Sequence, residues 1–503
     1  MSHVLTQPTP RRQLKLWPLV TFPLSGLVVL FLNAGGEALR WLGIGTLTWT
    51  LALPLLISLE AGLFGMMLFE PFRGFLRRAQ YLFLPYTQTD PIHMVTPIVT
   101  LLALALLVQR RKLSILRASP LALLVSILSL IYFLQIFNPI QGGIAVGLSG
   151  ALFMLVPVAW FYFGQEIKPA FLETAFRLLV VLGLITSVYG LYQLAFGFPA
   201  FEQYWIDNTE FYNSIAVGNV TRALATYSSA EEWGRYIELG ALVALGFGTC
   251  AGSYLRRAAW LACGGALTVM LLLTGQRTSI FGLLFGIFVL LLLGAKTWRS
   301  AVGRVLLAFA PLLLVAILVK APTSDDMLSH DADDRVGAVL SHTARGTLRP
   351  AEEDSVQERL KNWTFLATEL IPYRPLGIGL GGTSLGALRF SNDSDLPPID
   401  SHFIATVITC GLPAALLFIW ILLRATRLSW RRSRVAGDVG SDEFDEREAR
   451  LWRIAATLMP VLVLNSFFGN TFTLYSVAPI AWLLIGWISA QAARDNQSRV
   501  TGQ

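Results

Sequence analysis

The stretch AAWLACGGALTVMLLLTGQRTSIFGLLFGIFVLLLLGA, from Ala258 to Ala295, decides the fold. Two apolar runs, 258–275 and 278–295, are separated only by Gln276 and Arg277. Each is close to the roughly 20 residues a helix needs to cross a bilayer core. The apolar residues are continuous, without the period-two alternation of a barrel strand, so helices are the remaining way to span. An arginine so close to hydrocarbon must face protein, water or an anionic partner, or else extend to the head groups.

The pattern continues along the chain. Further runs at 17–33, 43–69, 93–109, 120–137, 144–164, 174–197, 234–253, 302–320, 400–423, 454–470 and 475–492 lead to about 12–13 membrane helices. With 54% hydrophobic residues, 14% charged residues and a mean hydropathy of +0.59, the chain is too apolar for one water-soluble core. The expected fold is therefore an all-α polytopic integral membrane protein.

Lys and Arg placement orients the runs, because cytoplasmic links are enriched in them. Arg110, Arg111, Lys112 and Arg117 form one cluster, Arg256 and Arg257 a second, Lys296, Arg299 and Arg304 a third, and Arg424 to Arg453 the densest. Alternation from these puts the link near Asn138, the segment 198–233, the link 276–277 and the polar insert Ala321 to Ile399 outside. Near the N-terminus Arg11, Arg12 and Lys15 read as inside, and so do Arg73, Arg77 and Arg78. The region from Glu60 to Asp90 must then hold an extra crossing, a re-entrant turn or an interfacial helix. Four regions result: 1–119, an N-terminal membrane region of open topology; 120–320, a membrane core with outer loop 198–233; 321–399, the large outer loop; and 400–503, C-terminal helices with a cytoplasmic loop at 424–453.

Cys250, Cys263 and Cys410 lie in or near apolar runs without motif spacing and read as small core residues. No small-residue cleavage site follows the first run, so it reads as a retained span. The mixed-charge link Arg431 to Arg450 reads as solvated loop. No HExxH or CxxC occurs, and the acidic residues of the insert lack calcium-loop spacing, so nothing points to a metal or cofactor.

Four places carry ionisable groups beside outer helix ends. Arg277 has a planar fork suited to phosphate oxygens. Arg222 is the only basic residue of 198–233, read as a loop ion pair or an anion ligand. Glu231 and Glu232 follow it, placed to act on a helix dipole. Arg359 and Trp363 belong to a candidate amphipathic surface helix, with Trp363 at head-group depth, and precede the run Pro375-Leu376-Gly377-Ile378-Gly379, read as a flexible loop that lets backbone approach a substrate. His402 opens an apolar run. It is either a hydrogen-bonded structural residue or a general base for a hydroxyl nucleophile, with Asp400 as orienting partner or helix cap. His3, His93, His330 and His342 sit in no comparable constellation.

The ordered set is similar to the O-antigen ligase and polymerase family: an arginine before a span, the Gly-Gln-Arg-Thr-Ser hairpin and a large outer loop. Within the loop come Arg359, Trp363 and the Pro-Leu-Gly-Ile-Gly run; His402 opens the next span and Cys410-Gly411-Leu412-Pro413 follows. The resemblance covers roughly residues 120–490. It implies a GT-C-like architecture in the bacterial inner membrane with its active site facing the periplasm. It implies further that Arg222 and Arg277 hold the diphosphate of a polyprenyl-linked glycan donor, that His402 deprotonates the acceptor sugar hydroxyl, and that Arg359 and Trp363 serve the substrate loop. Displacement at the anomeric carbon would invert it, and fixed guanidinium groups would stabilise the leaving diphosphate without a metal. Phe403 stands where the family often has Asn, and Glu231-Glu232 where a small or amide residue is usual.

The implied activity is polymerisation of lipid-linked repeat units for an exopolysaccharide or O-antigen-like chain. The alternative within the family is a ligase moving finished glycan to a lipid or protein acceptor. Implied partners are the donor, a glycan acceptor, the bilayer and chain-length regulator or export proteins, with no nucleic acid. A transporter or flippase of glycan is the reading from another class; it predicts internal repeats and ionisable residues deep inside spans. A non-catalytic scaffold or sensor is a third. The insert carries 12 acidic against 7 basic residues over 321–399, which suits acceptor sugar more than diphosphate.

Overall fold

The computed structural model describes residues 36–88, 90–112, 114, 119–209, 216–217, 220–295, 297, 299–300, 302–304, 337, 354–383, 399, 401–435 and 445–501. In chain order the helices are α1 (Gly36–Ala52), α2 (Leu59–Ala79), α3 (Val95–Arg111), α4 (Ala122–Gln135), α5 (Ile144–Met154), α6 (Ala159–Glu166), α7 (Pro169–Phe196) and α8 (Ala200–Asn208). They continue as α9 (Ala230–Cys250), α10 (Tyr254–Leu273), α11 (Arg277–Leu293), α12 (Asp354–Phe365), α13 (His402–Val435), α14 (Glu446–Phe468) and α15 (Ala478–Thr501). A two-residue antiparallel hairpin, β1 (Ala216–Val217) with β2 (Val220–Thr221), is the β-structure among the described residues.

Seven of the described helical segments are long and apolar enough to cross a membrane, and the shorter α4 and α11 are apolar too. The protein is an all-α polytopic membrane protein. The spans 17–33 and 302–320 lie outside the described residues, save 302–304.

The run expected at 43–69 is two helices. A 3-10 turn, Leu53–Leu56, closes α1, and the Ser58 hydroxyl accepts the Ala61 N–H at 3.0 Å to start α2. The Glu60 to Asp90 region is thus occupied chiefly by α2, whose 21 residues span about 32 Å. Charge counting placed Arg73, Arg77 and Arg78 inside. In the structure these arginines are buried at the C-terminal half of α2, against the segment that carries Arg222. The positive-inside bias concerns cations left in loops, whereas these are satisfied by protein partners.

The core is dense and aromatic, with Trp160 of α6, Trp452 of α14, and Trp482 and Trp487 of α15 all about 1% exposed or less. By contrast α1 and α10 leave most of their surface outward, as lipid-facing helices do.

Helix α13 is broken at Gly411, which has φ 84°, two residues before Pro413. The break frees carbonyls, and the segment 375–381 supplies donors for them: Ile378 N–H donates to Ile408 O at 2.8 Å and Gly379 N–H to Thr409 O at 3.0 Å. In return Leu412 N–H donates to Pro375 O at 3.0 Å. A Cβ on Gly377 would stand 2.6 Å from Thr409 O, and one on Gly411 2.5 Å from Pro375 O. The glycines therefore let backbone meet backbone within the protein. This corrects the reading of 375–379 as a flexible loop open to substrate. It also shows that the Pro-Leu-Gly-Ile-Gly and Cys-Gly-Leu-Pro runs are two halves of one joint.

Candidate functional site at the α9, α11 and α13 ends

Arg277 is the first residue of α11, whose N-cap, Gln276, makes no side-chain capping bond. The opening N–H groups of a helix are orphan donors and favour an anion. Across from them, Arg222 follows directly on β2. With the Gln276 amide turned to satisfy its neighbours, its oxygen accepts Arg222 Nη1 at 2.8 Å and the Glu231 N–H at 3.3 Å. Burial pushes the Arg222 guanidinium below its ordinary value; Glu231 opposes this and Arg277 adds to it. Two residues 55 apart in sequence thus form a pair of like charges at one helix N-terminus, an arrangement that a bound anion would relieve.

The segment carrying Arg222 is bolted down from behind. Arg78 donates from Nε to Glu202 Oε1 at 2.7 Å and from Nη1 and Nη2 to the carbonyls of Tyr227 and Ala225. Gln193 of α7 accepts the N–H groups of Leu224 at 3.0 Å and Ala225 at 2.7 Å, and Ala225 takes a positive φ of 49°. Ser229 then caps α9 by accepting the Glu232 N–H at 3.1 Å. Glu232 turns inward to Arg73 at 3.4 Å, and Arg73 also meets Glu70 at 2.9 Å and the face of Tyr475 at 5.7 Å. Arg73 Nη1 also lies 2.5 Å from His93 Nδ1.

On the next turn of α9, Arg235 is fully buried, donates to Thr278 Oγ1 of α11 at 3.0 Å and lies 3.9 Å from Glu231. Glu238 accepts from Asn465 of α14 at 2.9 Å. These ionisable groups sit deeper in helices than the sequence reading allowed. They are packed between α9, α11 and α14, where each finds partners.

Gly469 connects this cluster to His402. A Cβ there would stand 2.5 Å from Glu231 Oε1 and 2.7 Å from Arg235 Nη2, while its carbonyl accepts the His402 N–H at 3.1 Å. The His402 ring is only 2% exposed, held between Phe418 at 4.9 Å and Phe472 at 5.5 Å. Its Nδ1 has no hydrogen-bond partner among the described residues. Asp400 lies outside the described residues, so its role as orienting partner or cap does too.

Of the insert, α12 and the segment to 383 are the main described parts. Arg359 and Trp363 both lie on α12, and Trp363 is partly exposed. The structure thus joins Arg222, Arg277 and, through Gly469, His402. Gln193, Arg235 and Glu238 were not singled out in the sequence, and each bonds to a group far along the chain: the Leu224 and Ala225 N–H groups, Thr278 and Asn465 respectively. The one available signal was charge inside an apolar run, as in Arg235 and Glu238.

No curated protein matches the chain. Residues 261–419 match the family model described as O-Antigen ligase. That stretch begins in α10, contains Arg277 and the 375–381 joint, and ends in α13 past His402 and Gly411; Arg222 precedes it. The resemblance of this membrane protein to the O-antigen ligase and polymerase family is therefore shown over residues 261–419.

Proposed function

We propose that the chain is a membrane glycosyltransferase that polymerises polyprenyl-diphosphate-linked oligosaccharide repeat units at the outer face of a bacterial inner membrane. The observation that carries the reading is the juxtaposition of Arg222 and Arg277 at the open N-terminus of α11, joined through Glu231, Arg235 and Gly469 to His402. In this scheme the diphosphate of the donor lies against the two guanidinium groups and the first N–H groups of α11. The His402 imidazole takes the proton of the acceptor hydroxyl. The hydroxyl oxygen bonds to the anomeric carbon as the carbon–oxygen bond to diphosphate breaks, inverting the centre. Charge developing on the leaving group is met by fixed donors, the usual source of large rate effects. Arg359 and Trp363 on α12 are assigned to the substrate loop.

The family description favours a second reading, in which the same chemistry transfers finished glycan to a lipid or protein acceptor. Cells lacking the protein separate the two: a carrier holding single repeat units supports the polymerase, and one holding full polymer supports the ligase. For either enzyme, His402→Ala in membranes supplied with lipid-linked repeat units is expected to abolish product. Normal product length and yield would remove His402 from the mechanism.

A further inference from the structure

At the end of the bundle away from His402, a cavity of about 300 Å³ opens where the 3-10 turn Leu53–Leu56, α2, α3 and the α6–α7 link converge. Its floor is apolar, formed by Leu55, Leu59, Leu106 and Leu107, and its mouth carries Arg110, Arg111 and Lys168. Two carboxylates also line it, and both are engaged. Glu166 accepts Arg111 Nη2 at 2.6 Å, and Glu60 Oε1 accepts the backbone N–H of Lys168 at 3.2 Å. Among the described residues, the Arg110 guanidinium and the Lys168 ammonium are left without such ion pairs, both exposed at the mouth.

A second cavity, of about 270 Å³, lies between α1 and α3, further along α3 from this end. It is lined almost wholly by apolar surface, with Ile98 and Leu102 of α3 facing Trp41, Ile44, Trp49 and Ala52 of α1. Trp41 and Trp49 are 55% and 44% exposed, so the groove opens at the surface of the bundle. Ile98 and Leu106 are about 12 Å apart along the helix, within the reach of one acyl chain.

We propose that these two cavities are one site for an anionic phospholipid of the cytoplasmic leaflet. Its phosphate sits between Arg110 and Lys168, and one acyl chain lies in the α1–α3 groove. Charge complementarity at the mouth meets one face of α3, on which Ile98, Leu102, Leu106 and Arg110 follow at four-residue spacing from the groove to the mouth. The Lys/Arg cluster 110–117 marks this end as cytoplasmic, the side where basic pockets between helices meet anionic head groups. The site is independent of the glycan chemistry at the opposite end.

The test is native mass spectrometry of the full chain in detergent, titrated with phosphatidylglycerol or with phosphatidylcholine of the same acyl chains. The wild type is expected to retain phosphatidylglycerol preferentially. Arg110→Ala and Lys168→Ala should each weaken it about fivefold, and the double variant about twenty-five-fold, erasing the preference. Leu102→Trp, which fills the groove and leaves the charges, should weaken both lipids. Equal retention of the two lipids by the wild type overturns the proposal, as does unchanged binding in the double variant or in Leu102→Trp. Displacement of phosphatidylglycerol by equimolar inorganic phosphate also overturns it, since the cavity would then take a free anion.

Discussion

Replacing Arg78 by alanine tests whether the segment 222–229 is held from behind, on which the pairing of Arg222 with Arg277 depends. Arg78 is 1% exposed and bonds to Glu202 and to the carbonyls of Tyr227 and Ala225. Glu202 is 0% exposed, so the truncation leaves its carboxylate buried beside the neutral Gln193 Nε2 donor at 2.8 Å. Breaking a buried pair from one side typically costs about 3–5 kcal/mol, because the remaining charge is uncompensated. Glu202→Gln in the Arg78→Ala background removes that charge and should recover about half of the loss; the rest belongs mainly to the Tyr227 carbonyl, at about 1–3 kcal/mol, since the Ala225 carbonyl keeps Gln193 Nε2 at 3.3 Å. The measurement is a double-mutant cycle on denaturant or thermal unfolding in detergent, with proteolysis of the 222–229 segment followed in parallel. A cost below about 1 kcal/mol for Arg78→Ala, or no recovery in the double variant, would refute the clamp.

Arg222→Lys and Arg277→Lys keep charge but lose the fork, so turnover of lipid-linked donor should fall about 10- to 100-fold, the value of one to two charge-assisted hydrogen bonds. Full activity in both would make them head-group anchors. Gly469→Ala puts a Cβ 2.5 Å from Glu231 Oε1 and 2.7 Å from Arg235 Nη2, so the carbonyl that holds the His402 N–H must shift. Turnover is expected to drop with little change in helix content by circular dichroism, and wild-type turnover would separate the Arg235 cluster from the chemistry. Gly411→Ala should lower the melting temperature, since it combines a φ of 84° with a Cβ 2.5 Å from Pro375 O, at about 1–3 kcal/mol for the backbone alone. An unchanged melting temperature would mean that the joint relaxes without cost.

What the sequence determined by itself was the class of solvent and the local pattern. Continuous apolar runs leave helices as the spanning form, and the break at Gln276 and Arg277 appears in the structure as the end of the short link 274–276 and the first residue of α11. Arg277 and His402 were legible because each stands at an end of an apolar run, where hydropathy changes abruptly, and Arg222 because it is the only basic residue of 198–233. Tertiary structure decided the rest. What holds Arg73, Arg77 and Arg78 was not legible, because a sequence shows charge without showing its partner, and their partners include Glu202, Tyr227 and Glu232, far along the chain. Similarly, 375–381 read as a flexible loop because the carbonyls it completes belong to a helix broken at Gly411. A buried charge or a freed carbonyl is tolerated only where a distant group satisfies it, and only the packing of the helices brings that group near.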